Sequence, residues 1–214
     1  WAQAMPDAEV VRRQRRRIPQ LVSAFQGLVD TWDVVNEATV SYRFDNAIGR
    51  WIAANPAEVV GEFIRSAHAA APKAELLYND YNVRAPECDQ LIADMLAANV
   101  PMTAIGIQSH MHVATWSLQE AWAICERYAR FGLPLHFTEL TILSGRPKDP
   151  QDRDWHRVHT DWFSTPEGEE QQLLYGEAFY TLLYSHPAVE AITWWDFTDY
   201  HAWQGAPAGL VRAD

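Results

Sequence analysis

The chain has 214 residues, a net charge of -11, 48% hydrophobic residues and 21% charged residues. That is a soluble, globular composition, long enough for one large domain with a sizeable core. The charge argues against nucleic acid or an anionic membrane surface as partner, and no apolar run is long enough to span a bilayer.

The expected elements alternate. Asp7 can cap a helix through Val10, Val11, Ile18, Leu21, Val22 and Phe25. A strand follows near 31–36. Asn55-Pro56 reads as N-cap and first turn of a helix through Val59, Val60, Phe63, Ile64 and Ala67. Glu75 to Asn79 is the next strand, and a helix near 86–98 carries Leu91, Ile92, Met95 and Leu96. Met102 to Gln108 is a third strand. Ser117-x-x-Glu120 forms a capping box before a helix with Trp122, Ile124, Cys125 and Tyr128. Leu135 to Thr138 is a fourth strand. Thr165-Pro166 starts a helix to Ser185, and Ala191 to Trp195 is a fifth strand. Strands alternating with helices mean βα units and a parallel sheet. No G-x-G-x-x-G turn or P-loop follows any strand, which weighs against a nucleotide fold.

Between the fourth strand and the last helix lies an irregular segment, 141–164, of the length that usually has a function. It holds Trp155, His156, His159, Trp162 and Phe163. Ten Trp and eight Tyr are a heavy aromatic load. Core filling covers many of them. Those near strand tips and in polar loops suit the apolar faces of sugars. Cys88 and Cys125 fall on expected helices and read as free, buried, inert thiols. One disulfide stays open as an alternative, so cysteine count does not fix the compartment. The chain opens on Trp1, with no basic n-region or apolar h-region, so no signal peptide is visible.

The chemistry gathers at strand tips. They read Val35-Asn36-Glu37, Tyr78-Asn79-Asp80-Tyr81-Asn82, Gln108-Ser109-His110, Thr138-Glu139 and Trp194-Trp195-Asp196. A lone Asn-Glu after a strand is more often a helix cap, and a lone His is more often structural. A ring of polar tips serves no stability purpose, and the C-terminal strand tips are where a (β/α)8 barrel keeps its active site. Glu37 and Glu139 each end a short apolar strand, and two such carboxylates flanking one bond are the machinery of glycoside hydrolysis.

These motifs, W-D-V-V-N-E-A, Y-N-D-Y-N, G-I-Q-S-H, T-E-L and W-W-D-F-T-D-Y-x-A-W in this order, resemble glycoside hydrolase family 10, mostly endo-β-1,4-xylanases. The resemblance runs through nearly the whole chain. It implies a (β/α)8 TIM barrel and cleavage with retention of anomeric configuration. It makes Glu37 the general acid/base and Glu139 the nucleophile. Asn36 would bond the sugar 2-OH, and His110 would orient Glu139. Gln108 and Asn79 would line the cleft. Trp195 and Trp203 would form its floor and wall, and Tyr81 would contact the leaving-group side. No cofactor or metal is implied, and the protein would be secreted or periplasmic.

There are departures. The family usually has an Asp two residues after the nucleophile, where this chain has Thr141, so His110 would lose a charged neighbour. The segment 141–164 is longer than the resemblance leads one to expect. Trp1 to Pro6 resembles the segment after the third barrel strand, with Ala2 where a His is usual. By that alignment the chain, 1–214, is one partial catalytic domain holding barrel strands four to eight and lacking the last helix. Such an arc would expose apolar residues such as Val34, Leu76, Leu77, Ile105 and Ile107 and would self-associate through its open edges.

The expected function is thus an endo-acting, retaining β-1,4-xylanase acting on xylan or xylo-oligosaccharides. A retaining β-glycosidase on β-glucans or aryl glycosides would use the same two carboxylates. A non-catalytic carbohydrate-binding protein would keep Trp195, Trp203 and Tyr81 without needing both Glu37 and Glu139.

Overall fold

The computed structural model describes residues 5–212. The expectations for Trp1 to Ala4, Ala2 among them, lie outside these residues. The described chain alternates strands and helices. They are α1 (Asp7–Ala24), β1 (Thr31–Asn36), α2 (Ala47–Ala54), α3 (Pro56–Ala70), β2 (Glu75–Asp80), α4 (Pro86–Ala97), β3 (Ala104–Ile107), α5 (Leu118–Ala129), β4 (Leu135–Leu140), α6 (Pro166–Ser185) and β5 (Val189–Trp194). The five strands are hydrogen-bonded in chain order, β1-β2-β3-β4-β5.

The chain divides into two compact units. One runs to Gly106 and includes Arg130–Pro134. The other holds Ile107–Ala129 and everything from Leu135 onward.

In the first unit β1 and β2 are parallel, with Thr31 opposite Glu75 and Asn36 opposite Asn79. The register shifts between Asp33 and Val35, so the β1 tip gains a local irregularity. β2 is buried on both faces. Leu76 and Tyr78 fill one side, and Leu77 and Asn79 the other. Helix α3 presents Val59, Val60, Phe63, Ile64 and Ala67 inward, with Pro56 at its first turn as the sequence implies. At Gly106 on β3, an added Cβ would lie 2.5 Å from the Asn79 side-chain oxygen. The glycine therefore makes room for Asn79.

In the second unit β4 and β5 run parallel, Leu135 opposite Val189 and Leu140 opposite Trp194. The Thr165 side chain caps α6 by accepting from Gly168 N–H. Ser117 caps α5, its hydroxyl accepting from Glu120 N–H at 3.1 Å. Phe179 and Leu183 of α6 are fully buried, and Phe179 meets Phe137 of β4 edge-on.

Several expectations need correction. Pro6, not Asp7, precedes the first turn of α1, and Asp7 instead pairs with Arg50 at 2.9 Å. No element is expected from the sequence between β1 and α3, where the 3-10 turn Ala38–Arg43 and helix α2 stand. Leu76, Leu77, Ile105 and Ile107 are buried rather than exposed, and only Val34 is partly accessible. Exposure along the strands falls instead on Thr31, Asp33 and Asn36 of β1 and on Glu190 and Thr193 of β5. Cys88 and Cys125 are free and buried, as expected.

Candidate active site

The first unit sets Asn36, Glu37, Asn79 and Tyr81 at its strand ends. Glu37 follows β1 and adopts a left-handed backbone, φ 58 and ψ 39. That conformation is costly for a residue with a side chain and clusters at functional sites. Its N–H donates to the Asn79 carbonyl at 2.9 Å, pinning the β1 tip to β2. Asn79 Nδ2 donates to Asn36 Oδ1 at 3.1 Å, and Asn36 Nδ2 donates to Glu37 Oε1 at 3.3 Å. Two asparagines in series thus aim the Glu37 carboxyl.

Asp80 organises the turn behind Glu37. It is fully buried and accepts from Thr39 Oγ1 at 2.8 Å, from Asn82 N–H at 2.8 Å and from the Tyr78 hydroxyl. Burial, reinforced by the Asp80 carboxylate, raises the Tyr78 hydroxyl well above the usual phenol range, so it stays a donor. Arg43 donates to the Tyr81 hydroxyl. Burial raises Tyr81 too, with Arg43 opposing and Glu37 adding to the rise.

The second unit builds the other half of the predicted list. Gln108 accepts from Glu139 N–H at 3.1 Å through its backbone carbonyl. Ser109 turns left-handed at φ 57 and swings His110 towards β4. His110 Nε2 lies 2.9 Å from Glu139 Oε2, and its Nδ1 lies 2.8 Å from Thr141 Oγ1. Thr141 therefore stands where the resemblance places an Asp and meets the same ring with an uncharged hydroxyl. An ionised Glu139 only accepts, so the Nε2–H of His110 donates to it. At Nδ1 the ring meets the Thr141 hydroxyl, which also donates to the Glu139 backbone carbonyl at 3.4 Å. His110 contacts Trp195 edge-on at 5.8 Å and Trp203 at 4.9 Å. Asp196 accepts from Trp203 N–H at 3.2 Å, and burial raises its carboxyl above the usual range.

Residues 1–210 match the family described as glycosyl hydrolase family 10. The chain belongs to that family. It is 29% identical over 204 residues to an endo-1,4-beta-xylanase of Geobacillus stearothermophilus, covering 91% of this chain and 58% of that protein. It is 30% identical over 207 residues to endo-1,4-beta-xylanase A of Caldicellulosiruptor saccharolyticus, covering 91% and 57%. Among solved structures, xylanase XynB of Paenibacillus barcinonensis, complexed with a conduramine derivative, matches with a TM-score of 0.71 and 26% identity over 91% of this chain and 60% of that one. Xylanase 10B of Thermotoga petrophila RKU-1, complexed with xylobiose, matches at a TM-score of 0.77 and 24% identity over 97% and 62%, a likeness of fold alone. The chain thus spans about 57–58% of the length of these curated relatives. Family 10 membership fixes the fold class as the (β/α)8 barrel, represented among the described residues by five strands.

The sequence reading of this family 10 chain left His112 unassigned. It is 2% exposed, and neither ring nitrogen has a hydrogen-bond partner among the described residues. It packs against His110, Trp162 and Trp203. Burial first, then the charges of His110 and Lys148, push its ring down to about 3. The spacing His110-x-His112 was the available signal, since alternate residues of an extended segment share a side.

This has a pH consequence. An unfolded His binds its proton below about pH 6.5, while folded His112 stays neutral down to about pH 3. Between those values the unfolded state binds more protons, so stability falls as pH falls, by about 1.4 kcal/mol per pH unit from this group. His112→Leu is expected to flatten the difference in urea-unfolding free energy between pH 7 and pH 4 relative to wild type. Equal slopes for both proteins would show that His112 does not carry this dependence.

Proposed function

We propose that this chain carries the catalytic carboxylates of an endo-acting, retaining β-1,4-xylanase. The observation that carries the reading is a glutamate at a strand tip, Glu139, held by a histidine that is itself held by Thr141, in a chain of family 10. Glu139 attacks the anomeric carbon as a carboxylate. The glycosidic C–O bond breaks, and Glu37 gives its proton to the departing oxygen. Glu37 then takes a proton from water, whose oxygen attacks the same carbon and frees Glu139. This reaction requires carboxyls about 5–5.5 Å apart.

The other roles follow. Asn36 bonds the sugar 2-OH, and Asn79 and Gln108 line the cleft. Trp195 and Trp203 offer aromatic faces to the sugar at the cleavage point. Tyr81, polarised by Arg43, meets the leaving-group side. The substrate is xylan or its oligosaccharides, and by family the protein works outside the cytoplasm. Among the described residues no helix is long and apolar enough to cross a membrane.

Reducing-sugar release from xylan, set against carboxymethyl-cellulose, tests the reading. Release from xylan alone is expected. Release from the cellulose derivative alone would move the substrate to a β-glucan while keeping the same two carboxylates.

A further inference from the structure

We propose that the segment 141–164 adds a sugar-stacking position beside Trp203, formed by Trp155 and set in place by the buried cation Lys148. The inference rests on the xylanase reading and extends it to a specificity element.

The segment is built rather than slack. Trp162 is 5% exposed and donates its indole N–H to the Arg146 carbonyl at 2.7 Å. It forms a small core with Ala206, Ala208 and Leu143. His159 N–H donates to the Gln204 carbonyl at 2.8 Å, and a Cβ at Gly205 would lie 2.3 Å from the His159 carbonyl oxygen. The segment is therefore fastened to the turn that carries Trp203.

Lys148 is the unusual member. Lysine is almost never fully buried without partners, yet this side chain is 1% exposed. Its ammonium pairs with Asp152 at 3.1 Å and donates to the Asp154 carbonyl at 3.3 Å. It also lies 5.0 Å from the centre of the Trp155 ring. Its backbone N–H donates to the His112 carbonyl at 2.7 Å. A loop that merely connected two elements would not bury a cation against Asp152, Asp154 and Trp155.

What the cation holds is an indole. Trp155 is partly exposed, and its ring lies 6.1 Å from that of Trp203 at 18°. At that separation two near-parallel rings are offset and overlap only in part, leaving aromatic surface uncovered on each. Trp203 is 37% exposed. Two near-parallel indoles, one on the β5 side and one on the loop, form a stepped apolar surface. A β-1,4-linked pyranose chain presents flat C–H faces at successive residues, and such a surface fits a chain long enough to pass beyond Trp203. Lys148 is a positioning residue here and touches no sugar.

The test compares xylohexaose with a short aryl xylobioside. Trp155→Ala is expected to raise KM for xylohexaose about tenfold, the loss of one stacked aromatic, with kcat kept and the short substrate serving as control. Trp155→Phe should recover part of the loss. Lys148→Met should reproduce the KM effect, and the double variant should be no worse than Trp155→Ala alone. An unchanged KM for xylohexaose in Trp155→Ala overturns the proposal, as does an equal fall of kcat on both substrates. Should Lys148→Met fail to fold, Trp155→Ala at the partly exposed ring still decides. A wild-type protein inactive on both substrates would strike the xylanase reading itself. Calorimetric titration of xylohexaose into wild type and Trp155→Ala would then decide the role of Trp155 separately.

Discussion

Glu139→Ala is expected to remove turnover of every substrate, from xylan to activated aryl xylosides. Without the nucleophile no glycosyl-enzyme forms, whatever the leaving group. Glu37→Ala should behave differently. Xylan needs its departing oxygen protonated, so its cleavage should fall by about 10²–10⁴-fold, the usual worth of a positioned acid. An aryl xyloside with an acidic phenol needs little protonation, so its first step should survive and the glycosyl-enzyme should accumulate as a burst. Azide should restore turnover of that intermediate, since it needs no general base to attack, and the product should be a β-glycosyl azide. Equal losses for both variants on all substrates would sink the role assignment. The contrast has a structural basis in the surroundings of the two groups. Glu139 is nearly buried and meets a histidine ring. Glu37 is partly accessible and meets an amide.

Asp80→Ala should give the largest stability loss among the residues outside the chemistry. Its fully buried carboxylate gathers the Thr39 hydroxyl, the Tyr78 hydroxyl and the Asn82 N–H. Removing it strands those donors in the interior, at a cost of about 2–4 kcal/mol. For a chain of this size the melting temperature should drop roughly 5–15 °C. Thr39 sits two residues after Glu37, so the turn that fixes the acid/base should loosen as well. The xylan rate should therefore fall even at temperatures where the variant is folded. Asp80→Asn keeps the volume but turns an amide donor towards donors, and it should be nearly as harmful. A melting point within about 2 °C of wild type for Asp80→Ala would show the donors find other partners.

The fold class was legible because apolar runs of strand length alternated with helical periods, and the tips carried an improbable set of polar residues. Glu139 and His110 could be paired from the resemblance, and the two side chains meet at 2.9 Å. Helix α2 was not legible, because Ala47–Ala54 is short and starts at Asn46, whose cap reads locally as a turn. Leu76, Leu77, Ile105 and Ile107 were expected in the open on the assumption that a partial barrel bares its inner face. In each unit they are buried all the same. Thr141 looked like a lost charge. Only coordinates could show that its hydroxyl reaches the same ring nitrogen, since a rotamer is invisible in sequence. His112 and Lys148 were missed for the opposite reason. Single polar residues in a loop look solvated until packing shows them enclosed.

The left-handed residues bear on how such a protein can be made tougher. Besides Asn99 just after α4, Glu37, Ser109, His201 and Gln204 hold positive φ without being glycine. Each stores about 1–3 kcal/mol of backbone strain, and all four lie just beyond a strand or in the segment after β5. An engineer ranking positions by the heat resistance gained on relaxing the backbone would be led first to the strand tips where the chemistry is proposed to lie. Hardening this protein is therefore safest at helix surfaces and loop prolines. The strained tips are best left alone, as a reserve that holds side chains where relaxed peptide would not.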